Sequence, residues 1–574
     1  MANETATPWL KDYPAHINWD MALTTGTVKQ LWQDAAAKYG SREFCDFLDK
    51  TYSYAQMDAL VQKAAQGLQE QGVTKGTRVG LFLPNCPYYP VFYYAAMQVG
   101  AVIVNFNPTY PTEMVKELVD LAGVTVMITL DLEAVYSLVE PAVGNSSLET
   151  LVVCPFAQTL PGIKSLLFPF VAKGRGLPLA KPAYSDKIIK LKDLLNNSGQ
   201  PTDVSVQPED IAALQFTGGT TGLPKAATLS HANLYINIQQ AGNWFPQIKD
   251  DGSSAILAVL PFFHVFAMTV CLNYMVFKGA RVIMQPRYET DQCLEAISKK
   301  KPTLFAGVPA IYTAINNAPQ VTAGEVDFSS LIYSISGGAA LPVQVKKDFE
   351  RVANCTLVEG YGLSETSPIA ACQPMGGDGK ERAEREATIG LPVPGTRIDI
   401  VSLEDGETVL GYSEENRGEI CISGPQVMRG YWRNTEETTG CFDSKGRFHT
   451  GDIGYMDEEG YTFIVDRKKD MILTNNGMNV YPRDIEEAVY RHPAILEAAI
   501  TGVPDEGRGE KILASIVLKD GESLDHDGLR AYLKDLVPSY ALPEVTEVLD
   551  ELPKTQIGKI LKKDIRANYI AAKS

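Results

Sequence analysis

From residue 54 to residue 130 the chain alternates between helix-spaced and strand-like segments, and few folds accept that order. Met57, Leu60, Val61, Ala64, Ala65 and Leu68 recur at helical intervals up to Gly72, which predicts a helix over 54–72. Arg78–Leu83 (RVGLFL) reads as a strand and YYPVFYYAAMQVG as a helix. VIVNF is a second strand, PTEMVKELVDLAG a helix opened by Pro111-Thr112, and VTVMITL a third strand. Strands separated by helix-length crossovers pair in parallel, so the pattern predicts βαβ units. Residues 155–205 lose the rhythm and read as an insertion; it resumes from Ile211 to about Glu359. From Gly390 to Val465 short strands with Gly-rich turns take over, which suggests an antiparallel barrel or sheet. After the charged stretch Asp466-Arg467-Lys468-Lys469-Asp470 a new unit begins, with a helix (PRDIEEAVYRH), two strand-like runs and a basic tail. The expected boundary divides the chain into 1–466 and 467–574.

Composition removes several function classes. The 574 residues carry 52 Lys+Arg against 69 Asp+Glu, a net charge of −17. That balance argues against sequence-independent nucleic-acid binding, which needs clustered cations. An anionic small molecule stays open, because the local field matters more than the total. Hydrophobic residues at 45% and charged residues at 21% exclude disorder, collagen or coiled coil as the bulk state. The nine cysteines form no CxxC pair, so they read as buried thiols of a reducing, cytoplasmic compartment. The opening MANETATPWLKDYPAHINWD has no secretory-signal pattern.

Two apolar segments bear on membranes. Residues 252–277 contain no Asp, Glu, Lys or Arg and are long enough to span a bilayer. Pro261, His264 and Asn273 interrupt them, and Pro-Phe-Phe-His reads better as a strand ending in a loop. Leu166–Ala172 (LLFPFVA) cannot span. With Lys164, Lys173 and Arg175 beside it, it reads either as a tip that dips into a lipid interface or as a hydrophobic loop packed on its own domain.

The segment richest in chemistry is Thr217-Gly218-Gly219-Thr220-Thr221-Gly222-Leu223-Pro224-Lys225. Three glycines and three threonines within six positions contribute little core. Glycine lets backbone N–H groups approach an anion, hydroxyls donate to phosphate oxygens, and Lys225 adds a point charge. A P-loop needs Gly-Lys-Ser/Thr in succession; here Lys225 follows Pro224 and precedes Ala226. A plain Gly/Thr turn is the alternative on composition alone.

TGGTTGLPK resembles the phosphate-loop signature of the acyl-adenylate-forming superfamily, which contains acyl-CoA synthetases, firefly luciferase and peptide-synthetase adenylation domains. Tyr361-Gly362-Leu363-Ser364-Glu365-Thr366 is similar to its Tyr-Gly-x-Ser/Thr-Glu signature, and Thr450-Gly451-Asp452 to its TGD. Asp466-Arg467-Lys468-Lys469 resembles its hinge and Pro553-Lys554-Thr555-Gln556-Ile557-Gly558-Lys559 its C-terminal lysine motif. Order and spacing agree from about residue 30 to 565. GRFHTGDIGYMDEEGYTFIVDRKKDMIL with NVYPRDIEE looks most like bacterial long-chain fatty acid–CoA ligases. The resemblance implies an α/β fold. A large N-terminal region of two parallel-sheet subdomains plus a small β-barrel-like subdomain is followed by a small mobile α+β domain.

The implied chemistry gives each motif a reason. A carboxylate is a poor electrophile, so its oxygen attacks the α-phosphorus of ATP, pyrophosphate leaves, and the acyl-adenylate then carries AMP as leaving group. Stabilising the gathering negative charge matters more than acid or base catalysis. By resemblance, Thr217, Gly218, Gly219, Thr220, Thr221, Gly222 and Lys225 cradle the phosphates. Glu365 with Thr217 holds Mg²⁺. Asp452 and Arg467 reach the ribose. Tyr361, within the Gly362 and Thr366 signature, stacks on adenine against Gly338 and Ala339. Lys559 orients the carboxylate against the α-phosphate. The thiol of coenzyme A then attacks the acyl-adenylate after the C-terminal unit swings about Lys469, with Gly477 beside the pantetheine tunnel.

His264 matches the position at the acyl entrance, with a satisfied core histidine as the alternative. No Asp or Glu occurs between Asp251 and Glu289, where amino-acid activators place an Asp for the substrate ammonium. A fatty acid therefore fits better, each buried CH₂ contributing about 0.8 kcal/mol. Some long-chain relatives carry a gating Trp where this chain has Met268. A 4-coumarate-type or medium-chain ligase is the alternative among enzymes, and an inactive adenylate-binding or transport protein the alternative outside them. Homodimerisation and peripheral contact with the inner face of a membrane are further expectations.

Overall fold

The computed structural model describes residues 6–217, 224–375, 385–474, 479–505, 510–555 and 558–573. The predicted alternation builds two sheets. The first has seven strands in the order Ile188–Lys190, Thr150–Cys154, Val124–Leu130, Arg78–Leu81, Val102–Asn105, Ile211–Thr217 and Lys225–Ser230. All its pairs are parallel except the last. Val102–Asn105 is buried throughout, and Val102, Ile103 and Val104 read as one apolar run rather than an alternation, as expected of a strand covered on both faces. Helix Tyr54–Glu70 starts where predicted, at a capping box between Ser53 and Gln56.

The second sheet has nine strands, with Ala255–Ala258, Leu304–Gly307, Tyr333–Ser336 and Thr356–Gly362 in parallel at its centre. Its far edge is an N-terminal hairpin. Glu43–Phe47 pairs in parallel with Arg281–Met284, and Lys50–Ser53 closes the edge. The apolar stretch 252–277 becomes the strand Ala255–Ala258, a loop at Pro261, and helical turns Ala267–Asn273 and Tyr274–Lys278. No helix among the described residues is long and apolar enough to cross a membrane.

Residues 155–205 are only partly an insertion. Ile188–Lys190 joins the first sheet beside Leu151–Val153, a strand too short to show a period. LLFPFVA is not a loop: its first six residues belong to the helix Gly162–Val171, and Ala172 follows the helix end.

Four antiparallel strands follow: Arg397–Val401, Gly418–Ser423, Phe448–Met456 and Thr462–Arg467. Beyond the turn at 468–470, the strands Ile495–Pro504, Glu510–Leu518 and Val545–Val548 form a separate sheet. It packs with the helices Pro482–Tyr490, His526–Leu533 and Lys562–Lys573 around its own apolar clusters, one holding Ile485, Ile500 and Leu529, another Leu513 and Ile565.

Candidate active site

Parallel strands point their carboxyl ends one way, and a crevice opens where neighbouring crossovers diverge. Thr217 ends a strand of the first sheet; Gly337, Gly338 and Gly360 lie at strand ends of the second. Between them lies a cavity of about 680 Å³. A second cavity of about 450 Å³ adjoins it and shares Gly338, Tyr361, Gly362, Arg467, Lys469 and Lys559.

One corner is fixed by strand register. Asp452 stands opposite Arg467 in the antiparallel ladder, and Arg467 Nε lies 3.1 Å from Asp452 Oδ1. The hydroxyl of Tyr361 donates to Asp452 Oδ2 at 2.6 Å. The strand backbone beside Asp452 is held in place: Gly451 N–H donates to Glu419 at 2.9 Å and Asp452 N–H to the Thr450 hydroxyl at 3.1 Å. The carboxylate raises the Arg467 pKa, and burial raises that of Tyr361 well above the ordinary tyrosine range. Gly362 has no alternative here, because a Cβ would sit 1.7 Å from the Pro368 carbonyl oxygen.

A second corner holds Glu365. Its Oε1 accepts from the Tyr431 hydroxyl at 2.8 Å. Burial raises the carboxyl, and the Tyr431 hydrogen bond opposes that shift. Lys225 Nζ lies 5.2 Å from the Tyr431 ring centre and pairs with Glu437. Across the ladder Lys225 faces Thr217, so the two ends of the Gly/Thr segment meet at the cavity. The segment's middle, Gly218, Gly219, Thr220, Thr221 and Gly222, lies outside the described residues, as does Gly477.

Lys559 enters from the C-terminal unit. Its N–H donates to the Thr555 hydroxyl at 3.1 Å, and Thr555 N–H to the Lys559 carbonyl at 2.8 Å. Gly558 turns the chain with φ +76°, a region that favours glycine. Burial pushes the Lys559 ammonium down to about 8, with Arg467 adding repulsion and Asp452 opposing it. Lys469 is also lowered, by burial and then Arg467.

His264 lines the same cavity. Desolvation pushes its imidazole down to about 4, with Lys559 as a smaller cause, so it is neutral at pH 7. Phe266 N–H donates to its Nδ1 at 3.3 Å, which leaves the proton on Nε2. Ala241, Trp244, Phe245, Phe266, Val270 and Ile335 give the same cavity an apolar lining. Met268 lies outside this lining, fully buried, its sulfur 3.3 Å from Asn105 Nδ2.

Among the described residues the sequence-predicted ones therefore converge, with one exception. Thr217, Lys225, His264, Gly338, Tyr361, Gly362, Glu365, Arg467, Lys469 and Lys559 line the larger cavity; Ala339 and Asp452 line its neighbour. Thr366 does not face either cavity: it is fully buried and its hydroxyl ties the loop through Leu363 and Pro368. Sequence reasoning missed Tyr431, Glu437 and Glu359. The cue for Tyr431 is the aromatic pair Tyr431-Trp432 behind Gly430, which pairs along the strand Lys225–Ser230 through Trp432 N–H and the Ala226 carbonyl. Glu359 lines the second cavity, and burial pushes its carboxyl up to about 7.

Comparison with known proteins places the chain in a family. Residues 32–432 match the AMP-binding enzyme family and residues 484–559 the AMP-binding enzyme C-terminal domain. The long-chain-fatty-acid–CoA ligase of Bacillus subtilis (strain 168) is 38% identical over 565 residues, 97% of both chains. The enzyme of the same name from Escherichia coli O157:H7 is 32% identical over 564 residues, again 97% of both. Among solved structures, ATP-bound MatB from Rhodopseudomonas palustris superposes with a TM-score of 0.81 at 24% identity, covering 96% of this chain and all of that one. The anthranilate CoA ligase AuaEII with anthranoyl-AMP gives 0.83 at 22%, covering 97% and 100%. At those identities the superpositions speak for the fold alone. The two domain matches and the full-length relatives establish that this chain belongs to the AMP-binding enzyme family.

Proposed function

We propose that this protein activates a long-chain fatty acid with ATP and transfers the acyl group to coenzyme A. The observation that carries the reading is that one cavity is lined both by polar Tyr361, Arg467, Glu365 and Lys559 and, with neutral His264, by an apolar set that includes Trp244, Phe245, Phe266 and Val270. Nucleotide fits the first set and an alkyl chain the second, while a substrate ammonium finds no carboxylate in the second among the described residues.

In the first step Asp452 accepts the ribose hydroxyls and Tyr361 offers its ring to adenine, with Gly338 and Ala339 opposite. Thr217 and Lys225, with the Gly/Thr segment between them, hold the phosphates. Lys559 spans the fatty carboxylate and the α-phosphate and offsets charge as the bond to pyrophosphate breaks. Glu365, buried and left with one oxygen outside the Tyr431 bond, fits a hard cation held by one carboxylate plus phosphates, and Thr217 adds a hydroxyl. Mg²⁺ there would supply neutralisation of the phosphate charge. In the second step the coenzyme A sulfur attacks the acyl carbon, the bond to AMP breaks, and the thiol proton is released. Residues 467–574 form a mobile domain in this reading. Rotation about Lys469 withdraws Lys559 between the steps, and Gly477 borders the thiol's path. The protein works at the inner face of the membrane.

The test is AMP and pyrophosphate release with palmitate, ATP, Mg²⁺ and coenzyme A, followed by a panel of acids of about six to twenty carbons plus cinnamates. Turnover rising with chain length supports the reading. A preference for cinnamates or medium chains replaces the substrate, and nucleotide binding without AMP production overturns the activity.

A further inference from the structure

The helix Gly162–Val171 is amphipathic the wrong way round for a helix packed on a protein. Its inner side buries Phe168, followed by Ala172 just past its end; the Phe168 ring lies 5.0 Å from that of Phe156. Its outer side carries Ile163, Leu166, Leu167 and Phe170, spaced i, i+3, i+4 and i+7, the stripe that normally faces a core. Here that stripe faces solvent: Ile163 and Leu166 are 73% exposed, Leu167 52% and Phe170 84%. Single exposed apolar residues need no explanation, but a contiguous ridge does.

The charge around the ridge identifies what covers it. Residues 162–192 hold seven lysines and arginines against one aspartate, a local charge of +6 in a chain of net −17. Lys173 and Arg175 follow the helix directly and are exposed. Lys164 is exposed within it, 3.0 Å from Asp49. An isologous contact with a second copy would bring two such cationic patches together. No part of the ridge lines either cavity at the candidate active site. An apolar stripe with flanking cations is instead the composition of a helix lying in the boundary between headgroups and acyl chains.

We propose that Gly162–Val171 is a membrane-docking helix, with Ile163, Leu166, Leu167 and Phe170 in the acyl boundary and Lys173 and Arg175 at the phosphates of an anionic bilayer. It deepens the proposed activity, on which it rests for its purpose: a fatty acid dissolved in the bilayer would be taken up by an enzyme held there.

The test is flotation of the full chain with vesicles of phosphatidylcholine containing about a third phosphatidylglycerol, and with phosphatidylcholine alone, at about 0.1 M and about 0.5 M NaCl. Wild type is expected on the anionic vesicles, with affinity about tenfold or more lower on neutral vesicles and in high salt. Leu166→Glu with Phe170→Glu is expected to abolish flotation, and Lys173→Glu with Arg175→Glu to lower affinity about tenfold, both keeping the wild-type rate with decanoate in vesicle-free solution. Absence of wild-type flotation, or flotation of both double variants like wild type, overturns the proposal. So does a wild-type dimer, measured by sedimentation without vesicles, that the Leu166/Phe170 variant dissociates. Failure of the ligase reading shows separately, as no AMP from any acid with flotation unchanged.

Discussion

Burial beside Arg467 pushes the Lys559 ammonium down to about 8, which brings its titration within reach of an assay. If the cation orients and neutralises the reacting groups, pyrophosphate release in the absence of coenzyme A should fall as pH rises through that value. From the Henderson relation, roughly 91% of Lys559 is cationic at pH 7 and roughly 9% at pH 9, so kcat/KM should drop about tenfold over that interval. Bound ATP brings negative charge that stabilises the ammonium, so the limb in kcat should lie at higher pH than the limb in kcat/KM. Lys559→Arg keeps its charge throughout and should abolish the limb, at a lower rate because a planar fork replaces a compact ammonium. Lys559→Ala should lose about 10²–10³ in rate, roughly 3–4 kcal/mol, with the same limb absent. Thioester formation from supplied acyl-adenylate should survive in both variants. The linkage of Lys559 to folding does not produce such a limb. A lysine whose folded pKa lies below its unfolded value binds fewer protons folded, so between about 8 and 10.5 its own contribution to stability rises with pH. A wild-type profile flat to about pH 10, or the same limb persisting in Lys559→Ala, would refute the assignment.

Three other outcomes follow from the geometry. Tyr431→Phe removes the donor to Glu365 and lets burial raise that carboxyl further, so the Mg²⁺ concentration for half-maximal pyrophosphate release should rise about tenfold, for about 1.4 kcal/mol. An unchanged Mg²⁺ titration would remove Glu365 from the metal site. Asp452→Asn strips Arg467 and the Tyr361 hydroxyl of their shared carboxylate; nucleotide affinity by calorimetry should weaken by about 2–3 kcal/mol with the fatty-acid KM much less affected. Lys469→Pro and Gly477→Leu should leave acyl-adenylate formation active and stop thioester formation, read as pyrophosphate released without acyl-CoA; normal overall turnover in both would sink the rotating-domain proposal.

Much of the fold was legible because its signals are local. The helix beginning at Tyr54 announces itself through its apolar spacing and the residues of its cap, and the strand at 124–130 through a largely apolar run rich in β-branched residues. The hairpin Glu43–Ser53 was not legible. Its partner Arg281–Met284 lies more than two hundred residues downstream, and pairing at that distance leaves no periodic mark. Ile188–Lys190 escaped because three residues carry no pattern. Thr366 shows the opposite limit: its place in a signature suggested nucleotide, whereas its hydroxyl serves the loop that presents Glu365.

Residue identity alone determined which chemical groups were available: one Gly/Thr segment, a tyrosine–glutamate signature, a Thr-Gly-Asp triplet ending in Asp452 and a lysine near the end. Tertiary structure decided their condition. The ladder register that sets Asp452 against Arg467, the burial that leaves His264 neutral and Lys559 near its titration point, and the outward turn of the stripe at 163–170 all depend on residues far apart in the chain. Solvation and charge proximity are properties of packed surfaces, and a linear order of side chains does not contain them.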